Sequence, residues 1–225
     1  MPRKKKQLPY KITSYSGADS AVCRAINKGN MWEKKIYNIY SQWIKDDDVI
    51  VDCGAFLGSH TLAFSDLAPN GKVHAIEPCT IPFTCLRNNV KINNITNICT
   101  YNALVTDEDG KCEEIGTNND GGSSMINLLF KKNHKASFKT VEKKKTMTVD
   151  GLKLDRCDLI KIDVERAEWL VLKGSHDTIT RHRPKILLET FNRKKNVEKL
   201  VQWAREYNYS YENIKGDDWI LLPNT

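Results

Sequence analysis

The chain has 225 residues, of which 28% are charged and 40% hydrophobic, and its formal net charge is +7. This length suits one sizeable domain, and the composition is that of a globular protein, which excludes wholesale disorder. No apolar run approaches the roughly 18 residues of a membrane span, and no apolar stretch follows the basic N-terminus, so we expect neither a span nor a secretory signal.

Seven cysteines lie along the chain without Cys-x-x-Cys pairs or histidines at zinc-like spacing. An odd, unpaired set is typical of free thiols in a reducing compartment, so we expect a cytoplasmic protein without a zinc site. The excess positive charge falls in short clusters. These are solvated loops and a frayed terminus, or they attract a polyanion such as RNA or an acidic glycan. The clusters are Arg3–Lys6, Lys131–Lys135, Lys143–Lys145 and Arg193–Lys195.

Residues 1–29 are mixed and polar, and we expect a basic, irregular segment there, followed by one domain over residues 30–225. From Met31 to Ile44, apolar residues recur at three- and four-residue spacing, which predicts an amphipathic helix. Beyond it, apolar strands and helical stretches alternate, while residues 111–148 are less regular. We predict strands at 49–51, 73–77, 98–105, 158–165 and 185–191, and helices at 59–67, 81–92, 167–174 and 197–207.

The order of these elements predicts an α/β fold. Strands that alternate with helices form a largely parallel sheet with helices on both faces. The strand sequences VIV, VHAI, LIKI and ILL are apolar on both sides, as buried parallel strands require. Residues 209–214 and 219–222 close the chain as an antiparallel hairpin.

The segment 49–62, VIVDCGAFLGSHTL, lies where the first strand becomes a helix. In doubly wound folds, ligands bind beyond the carboxyl ends of the strands. Gly54 lets the chain turn sharply, and Gly58 allows close approach by a ligand or by the helix. Glu77 ends the second strand, about 20 residues further on, where a carboxylate accepts hydrogen bonds from both ribose hydroxyls. We therefore predict a nucleoside-containing cofactor, bound by Asp52, Gly54, Ala55, Gly58 and Glu77.

The chemistry of this turn narrows the choice among nucleoside-containing cofactors. The string DCGAFLG lacks the GxG pair of the dinucleotide fingerprint, and Asp52 places negative charge where a pyrophosphate would lie. An acid at this position suits a cationic cofactor with an amino-acid moiety and a sulfonium, which is S-adenosyl-L-methionine. The alternative is a glycine turn in an α/β protein that binds no cofactor.

Several segments occur together, and in a fixed order, over about residues 45–190: VIVDCGAFLGSHTL, VHAIEP, NALVTDEDG, GGSS, TVDGL, DLIKIDVERAEWLVLKG and RPKILLE. The series resembles the FkbM family of S-adenosylmethionine-dependent methyltransferases. This resemblance implies a Rossmann-like class I methyltransferase fold with a seven-stranded sheet. It also implies O-methylation, often of a sugar hydroxyl in glycans or glycosylated natural products.

One position departs from the family pattern. The family usually has KIDVEG, whereas this chain reads KIDVERAE, with Arg166 in place of the glycine. A glycine permits a positive φ or close approach by the substrate, and arginine permits neither easily. We expect Arg166 instead to reach toward an acidic or hydroxyl-rich substrate, and the departure bears more on the substrate pocket than on the cofactor pocket.

The candidate catalytic acids lie at the end of the fourth strand. An alcohol is a poor nucleophile, so a base must take its proton as the methyl group is transferred. Asp163 and Glu165 alternate to the same side of the strand, with Lys161 in phase but deeper. We assign Asp163 as the base and Glu165 as its support; the alternative is a salt-bridged strand end.

Glu189, which ends the fifth strand, is a candidate for binding substrate hydroxyls. Such carboxylates also suit Mg²⁺, but we assign no metal.

Weaker candidates surround this pair. His60 opens the first helix, where it acts as a base, contacts the cofactor carboxylate, or only packs locally. Asn102 and Ala103 end the third strand, where the adenine would lie. Ser123, within Gly121–Ser124, belongs either to a loop that closes over the cofactor or to a plain surface turn.

Three functions remain open at this point. The first is a methyltransferase that acts on a sugar or glycan acceptor. The second is an RNA methyltransferase, which the net charge favours but the dispersed lysines and the absence of an RNP1-like signature do not. The third is a non-catalytic Rossmann-like protein that binds a partner.

Overall fold

The structure, a computed structural model, describes residues 10–14, 22, 24–25, 28–117, 124–126, 140–190 and 193–225. The strands in these residues are β1 Val49–Cys53, β2 Lys72–Ile76, β3 Ile98–Tyr101, β4 Leu104–Val105, β5 Cys112–Thr117, β6 Ser124–Ile126, β7 Thr140–Met147, β8 Leu159–Ile162, β9 Lys185–Glu189, β10 Tyr209–Lys215 and β11 Asp218–Pro223. The helices are α1 Lys34–Tyr40, α2 Ser59–Leu67, α3 Thr80–Ile92, α4 Glu168–Lys173, α5 His176–His182 and α6 Lys194–Glu206.

The main sheet has seven strands in the order β10-β11-β9-β8-β1-β2-β3. The strands from β9 to β3 pair in parallel, whereas β11 pairs antiparallel with both β9 and β10. The predicted α/β fold, with a mostly parallel seven-stranded sheet and a C-terminal hairpin, is confirmed. Because the parallel strands run the same way, their carboxyl ends lie at one edge, where ligands bind in such folds.

The sheet is buried on both faces. Ile50 and Leu159 pack into the cluster that includes residues of α1 and α2. Val51 and Ile160, their chain neighbours, pack into the cluster that includes residues of α4, α5 and α6. Successive side chains of a strand point to opposite faces, so helices cover both sides. This explains why these strands carry continuous apolar sequences.

The predicted third strand, 98–105, is wrong as a single strand. It divides into β3 of the main sheet and β4, which pairs in parallel with β7. Asn102 lies at the break, and its Nδ2 donates to the carbonyl oxygens of Glu77 and Pro78, each at 2.9 Å. These bonds hold the chain where it leaves one sheet for the other.

Residues 111–148 contain more order than the sequence indicated. In the described parts, β7 and β6 pair antiparallel with β5, which gives a four-stranded sheet in the order β4-β7-β5-β6. The lysine cluster 143–145 lies on β7, where Lys144 is buried and its two neighbours are exposed. Lys144 Nζ lies 2.7 Å from Thr80 Oγ1 and 2.9 Å from Asn102 Oδ1. This lysine therefore ties the two sheets together and is not part of a polyanion surface.

Two helices differ from the prediction. The helix expected from Met31 to Ile44 covers only Lys34–Tyr40. It starts late because Glu33 has a left-handed φ of 47° that helical backbone does not allow. Helix α5 was not predicted. The carboxylate of Asp150 accepts hydrogen bonds from the N–H groups of Asp177 and Thr178, at 3.0 and 2.8 Å. This cap comes from a residue 27 positions earlier, which a local pattern cannot reveal.

The N-terminal segment contacts the domain where it is described. Asn89 of α3 and Asn93, the residue that follows the helix, exchange hydrogen bonds with the backbone of Thr13 and Lys11, at 2.7 to 3.1 Å. The division of the chain at residue 30 stays a prediction.

Two further predictions concern membrane-spanning helices and the state of the cysteines. Within the described residues, no helix is both long and apolar enough to cross a bilayer. The cysteines among those residues form no disulfide bonds with one another: Cys53, Cys79, Cys85, Cys99, Cys112 and Cys157.

Candidate active site

The glycine turn after β1 has the backbone that its sequence predicted. Gly54 and Gly58 have φ values of 82° and 91°, in the left-handed region that residues with a side chain rarely adopt. A Cβ on Gly54 would overlap the carbonyl oxygen of Asp163, and one on Gly58 would lie 2.6 Å from Leu86 Cδ1. Gly54 thus allows the end of β8 to approach the turn, while Gly58 packs α2 against α3.

Asp52 is the buried acid of this turn, with no solvent exposure. Its Oδ2 accepts a 2.6 Å hydrogen bond from Thr61 Oγ1 of α2. Among the described residues, none donates a hydrogen bond to its Oδ1. A buried carboxylate oxygen without a donor is costly, by about 1–3 kcal/mol, so this atom is suited to receive a donor from a ligand.

Glu77 follows β2 and is also buried. Its Oε2 accepts from the N–H of Phe56, at 2.9 Å, and its Oε1 from the N–H of Cys79, at 2.8 Å. Burial raises the pKa of Glu77 to about 7, although these backbone bonds act in the opposite direction. The carboxylate is therefore fixed against the glycine turn, at the edge where a ribose was expected.

Asp163 lies directly after β8 and is joined to Lys161 and Glu189. Lys161 Nζ lies 3.0 Å from Asp163 Oδ2, and Glu189 shares a hydrogen bond with Asp163. Burial alone would raise the pKa of Asp163, but the lysine charge and the bonds from Glu189 and Lys161 outweigh it and lower the pKa. Burial and the charge of Asp163 raise the pKa of Glu189 to about 9. At neutral pH the pair therefore holds one proton, on Glu189.

Glu165 reaches the cavity by a different route from the one predicted. Strand β8 ends at Ile162, so strand alternation does not position Glu165. Instead Glu165 and Arg166 have left-handed φ values of 51° and 85°, and the N–H of Arg166 donates to the buried Glu168 Oε1 at 2.6 Å. Burial, with the charges of Asp163 and Glu168, raises the pKa of Glu165 to about 7.

His60 lies at the start of α2 and is buried. Its Nδ1 lies 3.0 Å from the hydroxyl of Tyr40, and its Nε2 lies 2.9 Å from Glu33 Oε2. Both ring nitrogens therefore have partners within the protein. The ring also lines the cavity, so its assignment as a catalytic residue stays a prediction.

These side chains meet in one cavity at the carboxyl edge of the sheet. Of the residues predicted from sequence, those that line it are Asp52, Gly54, Ala55, His60, Glu77, Asp163, Glu165 and Glu189. Gly58, Asn102 and Ala103 are described but lie outside this lining, and Leu104 and Val105 of β4 line the adjoining wall. Ser123 lies outside the described residues.

Several lining residues were missed by the sequence reasoning: Val22, Trp32, Glu33, Phe56 and Lys161. The first three come from the segment before α1, whose sequence carries no motif. Phe56 has a positive φ of 49° and lies between the two glycines of the turn. Lys161 was seen to be in phase with Asp163 but received no role.

The possible metal ligands lie to one side of this cavity. Glu33, Glu189 and Asp218 place carboxylate oxygens within 4.8 Å of one another. Burial and the charges of Glu33 and Asp163 raise the pKa of Asp218 to about 6, which disfavours a fully ionised cluster. These residues can hold a divalent cation, and the assignment of no metal stays a prediction.

The lining residues fit a cofactor with a positively charged amino-acid end and a ribose. Asp52 Oδ1 offers a buried acceptor to which none of the described residues donates, and Glu77 presents a fixed carboxylate beside Gly54 and Ala55. A cavity of this kind at the carboxyl edge of a mostly parallel sheet defines a Rossmann-like protein of the class that binds nucleoside-containing cofactors.

Comparison with known proteins gives the family. The chain belongs to the methyltransferase FkbM domain family, whose match covers residues 52–211. The resemblance stated from the sequence segments is therefore confirmed, and membership supports S-adenosyl-L-methionine as the cofactor.

Two curated proteins are similar in sequence. The 2-O-methyltransferase NoeI of Sinorhizobium fredii is 26% identical over 152 residues, which cover 62% of this chain and 62% of that protein. Methyltransferase 1 of Beauveria bassiana is 26% identical over 149 residues, which cover 59% of this chain and 60% of that protein. The chain thus matches about three fifths of the length of these relatives.

Solved structures are similar in fold. The methyltransferase FkbM of Methylobacillus flagellatus KT superposes with a TM-score of 0.59 at 18% identity, over 79% of this chain and 44% of that one. A precorrin-6y C5,15-methyltransferase of Geobacter metallireducens GS-15 gives a TM-score of 0.51 at 16% identity, over 84% and 85% of the two chains. At these identities the likeness bears on the fold alone.

Proposed function

We propose that this protein is an S-adenosyl-L-methionine-dependent O-methyltransferase that methylates a hydroxyl of a sugar in a glycan or glycoconjugate. Membership of the FkbM domain family supports methyl transfer. The name of NoeI, a 2-O-methyltransferase, supports oxygen as the acceptor atom. A cytoplasmic location stays a prediction.

The observation that carries the proposal is the division of one cavity into two sides. The cofactor side holds Asp52 and Glu77, which are buried and fixed by donors from the protein. The acceptor side holds Asp163, Glu165 and Glu189, of which Asp163 is 30% exposed at its side chain. Acids that remain partly accessible can bind hydroxyl groups that arrive from solvent.

Each side has its own task. When bound, S-adenosyl-L-methionine supplies an electrophilic methyl group on a sulfonium. On the cofactor side, Asp52 Oδ1 would receive the ammonium group and Glu77 the ribose hydroxyls. On the acceptor side, Asp163 is ionised, so it accepts a hydrogen bond from the acceptor hydroxyl and then its proton. Glu165, whose pKa is about 7, can hold that proton at neutral pH.

The charge of the acceptor side favours a sugar over RNA. Glu33, Glu165 and Glu189 line the cavity, and a neighbouring crevice is lined by Glu168 and Asp217 together with the acceptor-side acids. Although the chain is basic as a whole, phosphates that approach this edge meet mainly acidic side chains, some ionised and some protonated. A carboxylate accepts from a hydroxyl and a protonated acid donates to one, so both forms suit the hydroxyl groups that a sugar supplies in number.

The proposal is tested by incubating the protein with methyl-labelled S-adenosyl-L-methionine and separate pools of glycans and RNA. We expect label in the glycan pool that resists alkaline hydrolysis, as an ether does. Label in RNA alone would support the alternative of an RNA methyltransferase. Lack of transfer to either pool, together with lack of cofactor binding, would support a non-catalytic binding protein.

A further inference from the structure

Lys161 is a buried lysine between the two sides of the cavity, with 5% exposure. It lies on β8 directly opposite Asp52 of β1, its register partner, so both side chains extend to the same face of the sheet. Asp163 follows two residues later on the acceptor side. Lys161 is therefore placed to act on both sides at once.

The distances show how Lys161 divides its interactions. Its Nζ lies 3.0 Å from Asp163 Oδ2, a charge-assisted hydrogen bond, but 3.8 Å from Asp52 Oδ1, beyond hydrogen-bond reach. As noted, Asp52 Oδ1 receives no hydrogen bond from the described residues. The lysine thus balances the charge of Asp52 without occupying the oxygen that a ligand would use.

We propose that Lys161 is a positioning residue for both substrates of the methyl transfer. Its hydrogen bond orients the Asp163 carboxylate toward the acceptor. Its ion pair with Asp52 holds that carboxylate in position, so that Oδ1 receives the ammonium group of the cofactor. The inference rests on the proposed function, because it takes the cofactor to be S-adenosyl-L-methionine.

The surroundings of Lys161 explain why a cation is needed there. Among the described residues, acids face it from five elements: Asp52 on β1, Asp163 after β8, Glu189 at the end of β9, Glu33 before α1 and Asp218 at the start of β11. Burial alone would lower the pKa of Lys161, but attraction from Asp163, Asp52 and Glu33 outweighs it and raises the pKa. Without this charge the acids repel one another, and the carboxylates of Asp52 and Asp163 are no longer held in position.

The inference is tested by titrating S-adenosylhomocysteine into the protein in a calorimeter, in the wild-type background and in the Asp52→Asn background. This product carries the same ammonium group and requires no acceptor. Lys161→Gln keeps a hydrogen-bond donor for Asp163 but removes the charge, whereas Lys161→Arg keeps the charge. Lys173→Gln is the matched control, because Lys173 is exposed and pairs with Asp107, away from the cavity.

For Lys161→Arg and Lys173→Gln, we expect an affinity within about threefold of wild type. Lys161→Gln should lower the affinity at least tenfold in the wild-type background but by less than about threefold in the Asp52→Asn background, because it acts through Asp52. Equal losses in the two backgrounds, or no loss in either, would overturn the inference. Absence of binding to wild type would instead contradict the proposed function.

Folding gives a second measurement if Lys161→Gln is unstable. The double variant Asp52→Asn, Lys161→Gln removes both charges, so it should recover much of the lost melting temperature. A double variant as unstable as the single one would show that the lysine serves packing alone, and the inference would fail.

Discussion

The two sides of the cavity use carboxylates in different ways. On the cofactor side, Asp52 and Glu77 are buried, and their bonds come from a hydroxyl and from backbone N–H groups. On the acceptor side, Asp163 and Glu189 bond to each other and share one proton. A fixed carboxylate provides a preorganised acceptor, whereas a carboxylate pair can take up or release a proton. The contrast assigns binding to one side and proton transfer to the other.

Gly54 joins the two sides, and its substitution should have the largest effect. In Gly54→Ala the new Cβ would overlap the carbonyl oxygen of Asp163, in addition to the strain of φ 82°. We expect a loss of more than about 3 kcal/mol of unfolding free energy, measured by urea denaturation. Gly110→Ala is the control, because its φ is 75° but nothing lies within 4 Å of a new Cβ. The control should lose about 1–2 kcal/mol. Equal losses in the two variants would refute the close approach.

Glu77→Gln should disrupt the cofactor side alone. An amide can accept only one of the two N–H bonds from Phe56 and Cys79, and it offers the ribose a weaker acceptor. We expect the affinity for S-adenosylhomocysteine to fall at least tenfold, equivalent to about 1.4 kcal/mol, in calorimetry. Glu114→Gln, at an exposed position of β5, should bind as wild type does. Unchanged affinity in Glu77→Gln would remove this residue from the cofactor site.

Glu189→Gln should reveal the shared proton through stability. The folded-state pKa of Glu189, about 9, lies above its ordinary value of 4.5. Between these values the folded state binds more protons than the unfolded state, so wild-type stability falls as the pH rises through this window. Glutamine does not titrate, so the variant does not lose stability in this way. We expect its free energy of unfolding to rise by about 1 kcal/mol relative to wild type as the pH is raised, after allowance for partial exposure.

Thermal melts at several pH values test this expectation, with Glu212→Gln, at an exposed position of β10, as the control. The control should follow the wild-type pH dependence. A difference in melting temperature between Glu189→Gln and wild type that is the same at every pH would show that the pKa of Glu189 is not raised in the folded protein.

Arg166→Gly should have the smallest effect and the opposite sign. Arg166 has a φ of 85°, which costs a side chain roughly 1–2 kcal/mol and a glycine little. The free energy gained by relieving this strain exceeds the cost of the extra conformational entropy that glycine gives the unfolded chain. We therefore expect the variant to be more stable by up to about 1 kcal/mol. Arg87→Gly, at an exposed position within α3, should instead lose about 1 kcal/mol. A destabilised Arg166→Gly would mean that the arginine side chain contributes more than its backbone costs.

The cofactor side was more predictable from the sequence because its signals are local. A strand, an acid and two glycines occur within ten residues, and the boundaries of α2 match the prediction. The acceptor side depends on longer-range features. Glu165 enters the cavity through a left-handed turn, and Glu33 comes from a segment without a motif. The small sheet was missed because β5 and β7 are mostly polar and β4 and β6 are only two and three residues long. Their pairing is also set by contacts distant in sequence. The glycine that the family has at position 166 was a usable signal for the positive φ observed there.

The division of the cavity is tested most directly by calorimetry of S-adenosylhomocysteine with Asp163→Asn. Asparagine keeps an oxygen that can accept from Lys161 Nζ, so the cofactor side should be undisturbed. We expect a dissociation constant within about threefold of wild type, a difference below about 1 kcal/mol. A loss of affinity as large as that expected for Glu77→Gln would place Asp163 among the cofactor ligands and contradict the separation of binding from proton transfer.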